Sequence, residues 1–142
     1  MSKIYDVIVL GAGPAGLAAG LYCGRSRLST LIIEKGQDGG QIAITNEIEN
    51  YPGQVEGDSG PSLIARMTKQ AEHFGAERVS DTIKSVELEG EVKKLVGAKG
   101  EYQAHAVILA TGAFPKPIGC KNEGDLVGKG ISFCATCDAA FF

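Results

Sequence analysis

The sequence predicts an α/β fold with a mainly parallel sheet and a small antiparallel meander. Three observations favour this fold. Short β-branched apolar runs, typical of strands buried on both faces, stand near the start of the chain and again past its middle. Segments with apolar residues at helical spacing follow the first two runs. Short segments that alternate apolar and polar residues fill the stretch before the last run.

The first part of the chain predicts one βαβ unit. Residues Ile4 to Leu10 form a buried apolar run, and residues at helical spacing continue to about Arg25. Thr30 to Glu34 is a second apolar strand, and it ends in an acid. Between the first strand and the helix stands a glycine turn, Gly11-Ala12-Gly13-Pro14-Ala15-Gly16. Strand, turn, helix and strand in this order are typical of a parallel sheet with a crossover helix.

The rest of the chain predicts a loop, a helix, the meander and one more strand. Residues 37–60 are rich in Gly, Asn, Asp and Pro, and a loop of this length in a compact domain is usually functional. Residues 61–74 predict a helix that ends at Gly75. Residues 77–103 hold three short alternating segments, which predict the meander. Residues 106–112 predict another buried strand with glycine at its end.

The glycine turn has the spacing of a dinucleotide-binding fingerprint. Gly11 permits the tight turn, Gly13 lets the backbone approach a pyrophosphate, and Gly16 lets helix and strand pack closely. The helix that begins here, at Pro14 and Ala15, offers backbone N–H groups and a favourable dipole to the same anion.

Glu34, at the end of the second strand, completes the fingerprint. Its carboxylate can accept hydrogen bonds from ribose hydroxyls and would repel a 2′-phosphate. The site is therefore expected to take FAD or NAD rather than NADP, and the fingerprint does not separate FAD from NAD. The alternative is that the glycines only make a tight turn and that Glu34 is a solvated acid.

A cysteine pair near the end of the chain predicts redox chemistry. Cys134-Ala135-Thr136-Cys137 is followed at once by Asp138. Such a pair can form a disulfide and hold one sulfur as a reactive thiolate, and Asp138 could carry a proton to or from a departing thiolate. A structural zinc site is one alternative, but it usually needs four ligands and the sequence has no second such pair, so no metal is expected. Two ordinary loop cysteines are the other alternative, and Cys23 and Cys120 are predicted to be packing residues.

Composition excludes several classes of partner. The chain has 142 residues, 44% of them hydrophobic, and a formal net charge of −3. Because no run of Lys or Arg occurs, neither nucleic acid nor an anionic membrane is an expected partner. No segment is long and apolar enough to span a membrane, and the start carries no secretory signal, so a cytoplasmic location is expected.

Five stretches of the chain resemble the low-molecular-weight thioredoxin reductases, in the order of that family. They span nearly the whole chain, and the last is the most specific. The stretches are Gly11-Ala12-Gly13-Pro14-Ala15-Gly16, Gly39-Gly40-Gln41, Glu49-Asn50-Tyr51-Pro52-Gly53, Ala110-Thr111-Gly112-Ala113 and Gly130-Ile131-Ser132-Phe133-Cys134-Ala135-Thr136-Cys137-Asp138.

The resemblance implies a Rossmann-like FAD-binding domain of the flavoprotein type that has two dinucleotide-binding domains. Residues 1–115 would be the N-terminal part of the FAD-binding domain, incomplete at the C-terminus. Residues 116–142 would begin the NADPH-binding domain. The residues that the resemblance and the fingerprint assign to FAD are Gly11, Gly13, Pro14, Ala15, Gly16, Glu34, Gly40, Gln41, Asn50, Ala110, Thr111 and Gly112.

The chemistry implied by the resemblance passes electrons from NADPH through FAD to the cysteine pair and then to thioredoxin. Cys137 would be the flavin-facing sulfur, and Cys134 would attack the disulfide of thioredoxin. Asp138 would be the acid. A homodimer is the implied assembly.

The chain departs from the family pattern in two ways. Ala139 stands where the family usually has glycine. The family's second glycine fingerprint, which binds NADPH, and its C-terminal return segment do not occur in these 142 residues. The chain is therefore expected to be a truncated piece without NADPH turnover. The alternatives are a stand-alone nucleotide-binding module with a redox-sensing cysteine pair, or a piece of a hydroperoxide reductase flavoprotein.

Overall fold

The described part of the chain forms two compact units, which divide between Gly112 and Ala113, and the described residues of the first contain six strands and two long helices. The computed structural model describes residues 3–135. The strands are β1 (Ile4–Leu10), β2 (Thr30–Glu34), β3 (Glu77–Ser80), β4 (Ile83–Glu87), β5 (Lys93–Gly97) and β6 (Glu101–Leu109). The helices are α1 (Pro14–Arg25), α2 (Gly60–His73) and a 3-10 helix (Gly40–Ile44).

The strands form one mixed sheet in the order β3-β2-β1-β6-β5-β4. The pairs β3–β2, β2–β1 and β1–β6 are parallel, whereas β6–β5 and β5–β4 are antiparallel. The predicted α/β fold, a mainly parallel sheet with a small antiparallel meander, is therefore confirmed.

Two strand assignments from the sequence are wrong. Residues 77–80, expected to open the meander, form β3 and pair in parallel with β2. The cause is that α2 precedes β3, so β2, α2 and β3 form a second crossover unit. Residues 101–109, expected to belong to two separate strands, form the single strand β6, because no breaker interrupts them. β6 pairs with β5 through Glu101–Ala104 and with β1 through Gln103–Leu109.

The core lies on both faces of the parallel strands. Alternate residues of β1 point to opposite faces, as the period of a strand requires. One cluster packs the strands against α1 and α2, and its buried members are Val7, Val9, Ala12, Leu17, Ile32, Ile64, Ala71 and Ala76. The other packs them against residues of β5 and β6, and its buried members are Ile8, Leu10, Leu31, Ile33, Leu95 and Ala104. The meander therefore covers the face that the helices leave free.

The last strand is less buried than its sequence predicts. Val107 and Ile108 are half-buried, and each packs against a different core cluster. Leu109, by contrast, is 64% exposed. The strand ends at this residue, so residues 110–112, which were expected to continue it, lie outside it. An apolar run predicts the tendency to be buried but not the surface that buries it.

The long loop before α2 is present and contains the 3-10 helix, which the sequence did not predict. It is fastened to α2 by the Gly60 N–H, which donates to the Thr45 carbonyl (2.9 Å), and by an ion pair between Arg66 and Asp58. Arg66 is the main reason that the pKa of Asp58 lies well below its ordinary value. Ser59 caps the helix, since its hydroxyl accepts the Ser62 N–H (3.3 Å).

The second unit, described as far as Ala135, holds little regular structure. Its helix α3 (Glu123–Leu126) has four residues. The Glu123 carboxylate accepts the N–H groups of Ile118 and Gly119, both at 2.8 Å, and so closes the loop that contains Cys120. Of the helices in the described part of the chain, none is long and apolar enough to cross a membrane.

Candidate functional site

The candidate nucleotide site lies where β1, β2 and β6 end, at the carboxyl edge of the parallel strands. Gly11 follows β1, and its N–H donates to the Ile33 carbonyl of β2 (2.8 Å). Ala110 follows β6, and its N–H donates to the Leu10 carbonyl of β1 (2.9 Å). Ligands of doubly wound sheets bind outside this edge, so these hydrogen bonds place the glycine turn where a cofactor would lie.

Gly11 and Gly16 are glycines because the fold leaves no room for a side chain. Gly11 has φ +106°, and a Cβ on it would lie 2.2 Å from the Ala110 carbonyl oxygen. A Cβ on Gly16 would lie 1.8 Å from the Gly11 carbonyl oxygen. The close approach of turn, helix and strand therefore explains both residues without reference to any ligand.

Gly13 is different, because nothing in the fold requires it to be glycine. Its φ of −74° suits any residue. A Cβ on Gly13 would meet only the Gly39 carbonyl oxygen, at 3.9 Å, which is ordinary contact. The missing side chain leaves open space in front of the turn. A pyrophosphate that approached the backbone at this point would account for the glycine.

The start of α1 adds anion-binding groups beside this space. Gly13 is its N-cap residue and offers no side chain to cap the helix. The first intrahelical bond runs from the Leu17 N–H to the Gly13 carbonyl (2.9 Å). The N–H groups of Ala15 and Gly16 come before this bond, so neither has a partner within the helix. Pro14 has no N–H and fits the first helical position. The exposed end of a 12-residue helix favours negative charge here.

Glu34 is joined to the glycine turn by its side chain. One carboxylate oxygen accepts the Ala12 N–H (2.8 Å), and the other accepts the Gly36 N–H (3.1 Å). A carboxylate oxygen has two lone pairs, so each retains capacity for a ribose hydroxyl. The half-buried Glu34 therefore orders the turn as well as presenting a negative charge beside it.

The loop that carries Gly40 is also tied to the glycine turn. The Gly39 N–H donates to the Ala12 carbonyl (2.8 Å). Gly39 has φ +106°, and a Cβ on it would lie 2.8 Å from the Ile64 side chain of α2, whereas a Cβ on Gly40, at φ +55°, would stand in open space. Gln41 is exposed on the 3-10 helix that begins at Gly40.

Sequence reasoning did not assign a role to Gly39 or Ala12, although both connect the parts of this site. Their contact joins residues that are far apart in the chain, which a local pattern does not reveal. The adjacent glycines at positions 39 and 40 were the available signal, since paired glycines mark a turn with unusual backbone angles.

The remaining predicted residues lie at different distances from the turn. Ala110 contacts it, because its carbonyl oxygen is the atom that a Cβ on Gly11 would meet. Thr111 and Gly112 follow directly and are exposed. Asn50 is exposed on the long loop, and no hydrogen bond within residues 3–135 joins it to the glycine turn.

The first cysteine of the pair lies in the second unit. Cys134 is half-buried and disulfide-bonded. Its N–H donates to the Ser132 hydroxyl (3.1 Å), and that hydroxyl donates to the Cys134 carbonyl (3.2 Å). Cys137 and Asp138 lie outside the described residues.

The other two cysteines are free thiols. Cys23 packs against the helix-side core cluster as predicted, and burial raises its pKa. The packing prediction for Cys120 is wrong, because this residue is exposed in the loop closed by Glu123.

Comparison with known proteins places this geometry in a family context. The family model described as pyridine nucleotide-disulphide oxidoreductase matches residues 5–142. A thioredoxin reductase from Peptoclostridium litorale is 57% identical over the whole chain, and one from Bacillus subtilis is 52% identical over 99% of it. The crystal structure of a thioredoxin reductase from Streptococcus pyogenes covers the whole chain with a TM-score of 0.87 and 41% identity. The chain spans 44–46% of the length of these three proteins.

Proposed function

Because the chain belongs to the pyridine nucleotide-disulphide oxidoreductase family, we propose that its first unit binds FAD and that the intact protein is a thioredoxin reductase. In this proposal NADPH is the electron donor and thioredoxin is the acceptor. The names of the relatives support this function over the hydroperoxide reductase alternative.

The observation that carries the proposal is the contrast between Gly13 and the two glycines beside it. The fold itself requires Gly11 and Gly16, whereas Gly13 faces open space. No neighbour within the fold accounts for Gly13, whereas a pyrophosphate at a helix N-terminus would do so. The negative charge of Glu34 disfavours the 2′-phosphate of NADP at the same site, which supports FAD.

Particular residues would hold each part of the cofactor. Gly13, Ala15 and Gly16 would bind the pyrophosphate through backbone groups, and Glu34 would accept the hydroxyls of the adenosine ribose. On the strength of the family resemblance, we assign to the flavin half the residues Gly40, Gln41, Asn50, Ala110, Thr111 and Gly112. When bound, FAD would carry two electrons from NADPH to the cysteine pair.

We assign the exchange with thioredoxin to Cys134, Cys137 and Asp138. The Cys134 thiolate would attack the thioredoxin disulfide, forming a mixed disulfide and releasing one thioredoxin thiolate. The Cys137 thiolate would then attack the Cys134 sulfur, which closes the pair as a disulfide and releases the second thioredoxin thiolate. Asp138 would supply a proton to a departing thiolate. The disulfide-bonded state of Cys134 supports this assignment.

The proposal includes a cytoplasmic location and a homodimer for the intact protein. Free thiols at Cys23 and Cys120 suit a reducing compartment. The homodimer rests on the resemblance to the thioredoxin reductases. Sedimentation of the intact protein measures its assembly, and a monomer would contradict this part of the proposal.

The proposal of FAD binding is tested by the visible absorption spectrum of the purified chain after it is mixed with FAD and desalted. We expect a flavin band to remain with the protein. FMN is the matched control, because it has the flavin ring but lacks the adenosine half that would reach Glu34. A chain that releases FAD as readily as FMN would show that this unit does not recognise the dinucleotide.

A further inference from the structure

Asp81, directly after β3, is a buried acid that the proposed chemistry does not use. It is 3% exposed. In the described part of the chain, Thr30 is the only other buried residue that is polar or charged. We propose that Asp81 is a positioning residue for Glu34. It fastens the end of β3 to the β5–β6 turn (residues 98–100), and this holds Glu34 in place for the cofactor ribose. This inference rests on the proposed FAD site.

The Asp81 carboxylate binds the β5–β6 turn at several points. It accepts the N–H groups of Ala98 (2.9 Å) and Lys99 (3.1 Å to each oxygen), and the hydroxyl of Tyr102 donates to it (2.8 Å). The Thr82 N–H donates to it as well (2.7 Å). A buried carboxylate is stable only when such donors replace water, so this turn is fixed to Asp81.

The β5–β6 turn is shaped to receive this carboxylate. A Cβ on Gly97 would lie 2.1 Å from an oxygen of Asp81, so only glycine fits there. The Ala98 N–H donates to the Thr82 carbonyl (3.0 Å), and the Lys99 ammonium donates to the Ser80 carbonyl (2.6 Å). The turn and the end of β3 therefore form one hydrogen-bonded junction.

This junction reaches Glu34 through the backbone. The Asp81 N–H donates to the Glu34 carbonyl (3.0 Å), and Glu34 pairs with Ser80 in the sheet. The Glu34 side chain in turn accepts the N–H groups of Ala12 and Gly36. Continuous hydrogen bonds thus run from the β5–β6 turn, through Asp81 and Glu34, to the glycine turn.

The test compares Asp81→Asn with Asp6→Asn in the full chain. Asn keeps the size of Asp but is neutral and can accept hydrogen bonds at only one of its two terminal atoms, whereas the Asp81 carboxylate accepts at both. Asp6 is a matched control, because its carboxylate accepts the Ser29 N–H (2.7 Å) and hydroxyl (2.8 Å) near the start of β1, whereas Glu34 ends β2 at the opposite edge.

The first readout is amide hydrogen exchange at Ala12 and Gly36, whose N–H groups report the position of the Glu34 carboxylate. Asp81→Asn should speed their exchange by about tenfold relative to the core amide of Ile8, as expected for local opening. Asp6→Asn should leave this ratio unchanged. A ratio that Asp81→Asn does not change would overturn the proposal, and no FAD is needed to measure it.

The second readout is FAD affinity in a double-mutant cycle with Glu34→Gln. Asp81→Asn should weaken FAD binding about tenfold when Glu34 is present and much less when Gln replaces it, because the two residues act as one unit. Equal losses in both backgrounds would show a merely structural role. Failure of the wild-type chain to bind FAD would contradict the proposed function and leave the exchange experiment decisive for Asp81.

A milder variant covers the case in which Asp81→Asn does not fold. Tyr102→Phe removes one donor to Asp81 and leaves the aromatic ring in place. It should raise the exchange ratio at Ala12 and Gly36 in the same direction by a smaller factor. An unchanged ratio in this folded variant would also contradict the proposal.

Discussion

Gly13 and Gly16 lie one helical turn apart, yet a side chain would meet different surroundings at each position. At Gly16 it would overlap the backbone of Gly11, whereas at Gly13 it would enter open space. A glycine that the fold requires and a glycine that a ligand requires can therefore be distinguished by substitution. A side chain at Gly16 should lower stability, whereas a side chain at Gly13 should weaken cofactor binding with little change in stability.

Gly13→Ser and Gly16→Ser make this comparison with the same side chain. Gly13→Ser should change the free energy of unfolding by no more than about 0.5 kcal/mol, since Ser is a good N-cap residue, and should weaken FAD binding. Gly16→Ser should lower the free energy of unfolding by about 2 kcal/mol or more, because the backbone must move to admit the Cβ. Urea unfolding and FAD titration measure the two effects. A Gly13→Ser variant that binds FAD as well as the wild type would remove the main support for the pyrophosphate site.

Sequence reasoning identified the glycine turn and Glu34 but not what holds them. The spacing of Gly11, Gly13 and Gly16 is local, so it can be recognised in the chain itself. The contact of Gly39 with Ala12 and the junction at Asp81 join segments that only the folded chain brings together. Residues that do the chemistry of a motif are thus easier to predict than residues that position it.

At the level of elements, an ion pair connects the loop before α2 to that helix. Asp58 lies on the loop, Arg66 lies on α2, and the Gln54 side-chain oxygen accepts a hydrogen bond from the same guanidinium (3.3 Å). This loop also carries the 3-10 helix that begins at Gly40 beside the glycine turn. The ion pair therefore stabilises a segment that the proposed site depends on.

The contribution of Asp58 should depend on pH in a defined direction. The Arg66 guanidinium first, and then the Ser62 hydroxyl, holds the pKa of Asp58 below its ordinary value. Such a carboxylate stabilises the fold fully above its unfolded pKa of about 3.9, and the effect is lost as the pH falls through the folded pKa. The difference in Tm between wild type and Asp58→Asn should be largest at neutral pH and should shrink below about pH 4.

A matched control for Asp58 is Glu87→Gln, which removes a carboxylate from an exposed pair with Lys94 (3.7 Å). Exposed pairs of this kind contribute little to stability, so Tm should hardly change. Thermal unfolding from pH 7 down to about pH 2 follows the greater part of this loss. A Tm difference for Asp58→Asn that does not vary with pH would show that the ion pair is not its source.

The elements that the sequence predicted well are those whose signals are local. α2 was predicted from Pro61 near its start and Gly75 after its end, and the structure places its ends there to within two residues. The pairing of β3 was predicted wrongly, because strand direction depends on the path of the chain through α2 rather than on the residues of the strand. The same limit applies to β6, whose two partners on opposite sides cannot be recognised from its own sequence.

At the scale of the whole molecule, the two units carry different parts of the proposed chemistry. The glycine turn belongs to the first unit, and Cys134 belongs to the second. The sequence contains one fingerprint of the Gly-x-Gly-x-x-Gly kind, and the proposal assigns it to FAD. Steady oxidation of NADPH would need a second dinucleotide site, whereas a single exchange between the cysteine pair and thioredoxin would not.

These considerations predict that the chain, reduced with dithiothreitol and desalted, should reduce about one equivalent of oxidised thioredoxin and then stop, even when NADPH is present. Cys134→Ser should abolish this transfer, because it removes the attacking sulfur. Cys120→Ser is the control, since it removes an exposed free thiol outside the pair, and it should leave the transfer intact. Thiol alkylation followed by mass spectrometry counts the electrons transferred to thioredoxin.

Two outcomes would contradict this prediction. Sustained NADPH oxidation would show that these 142 residues contain a donor site that the glycine pattern does not reveal. Transfer by Cys134→Ser would show that another sulfur attacks thioredoxin.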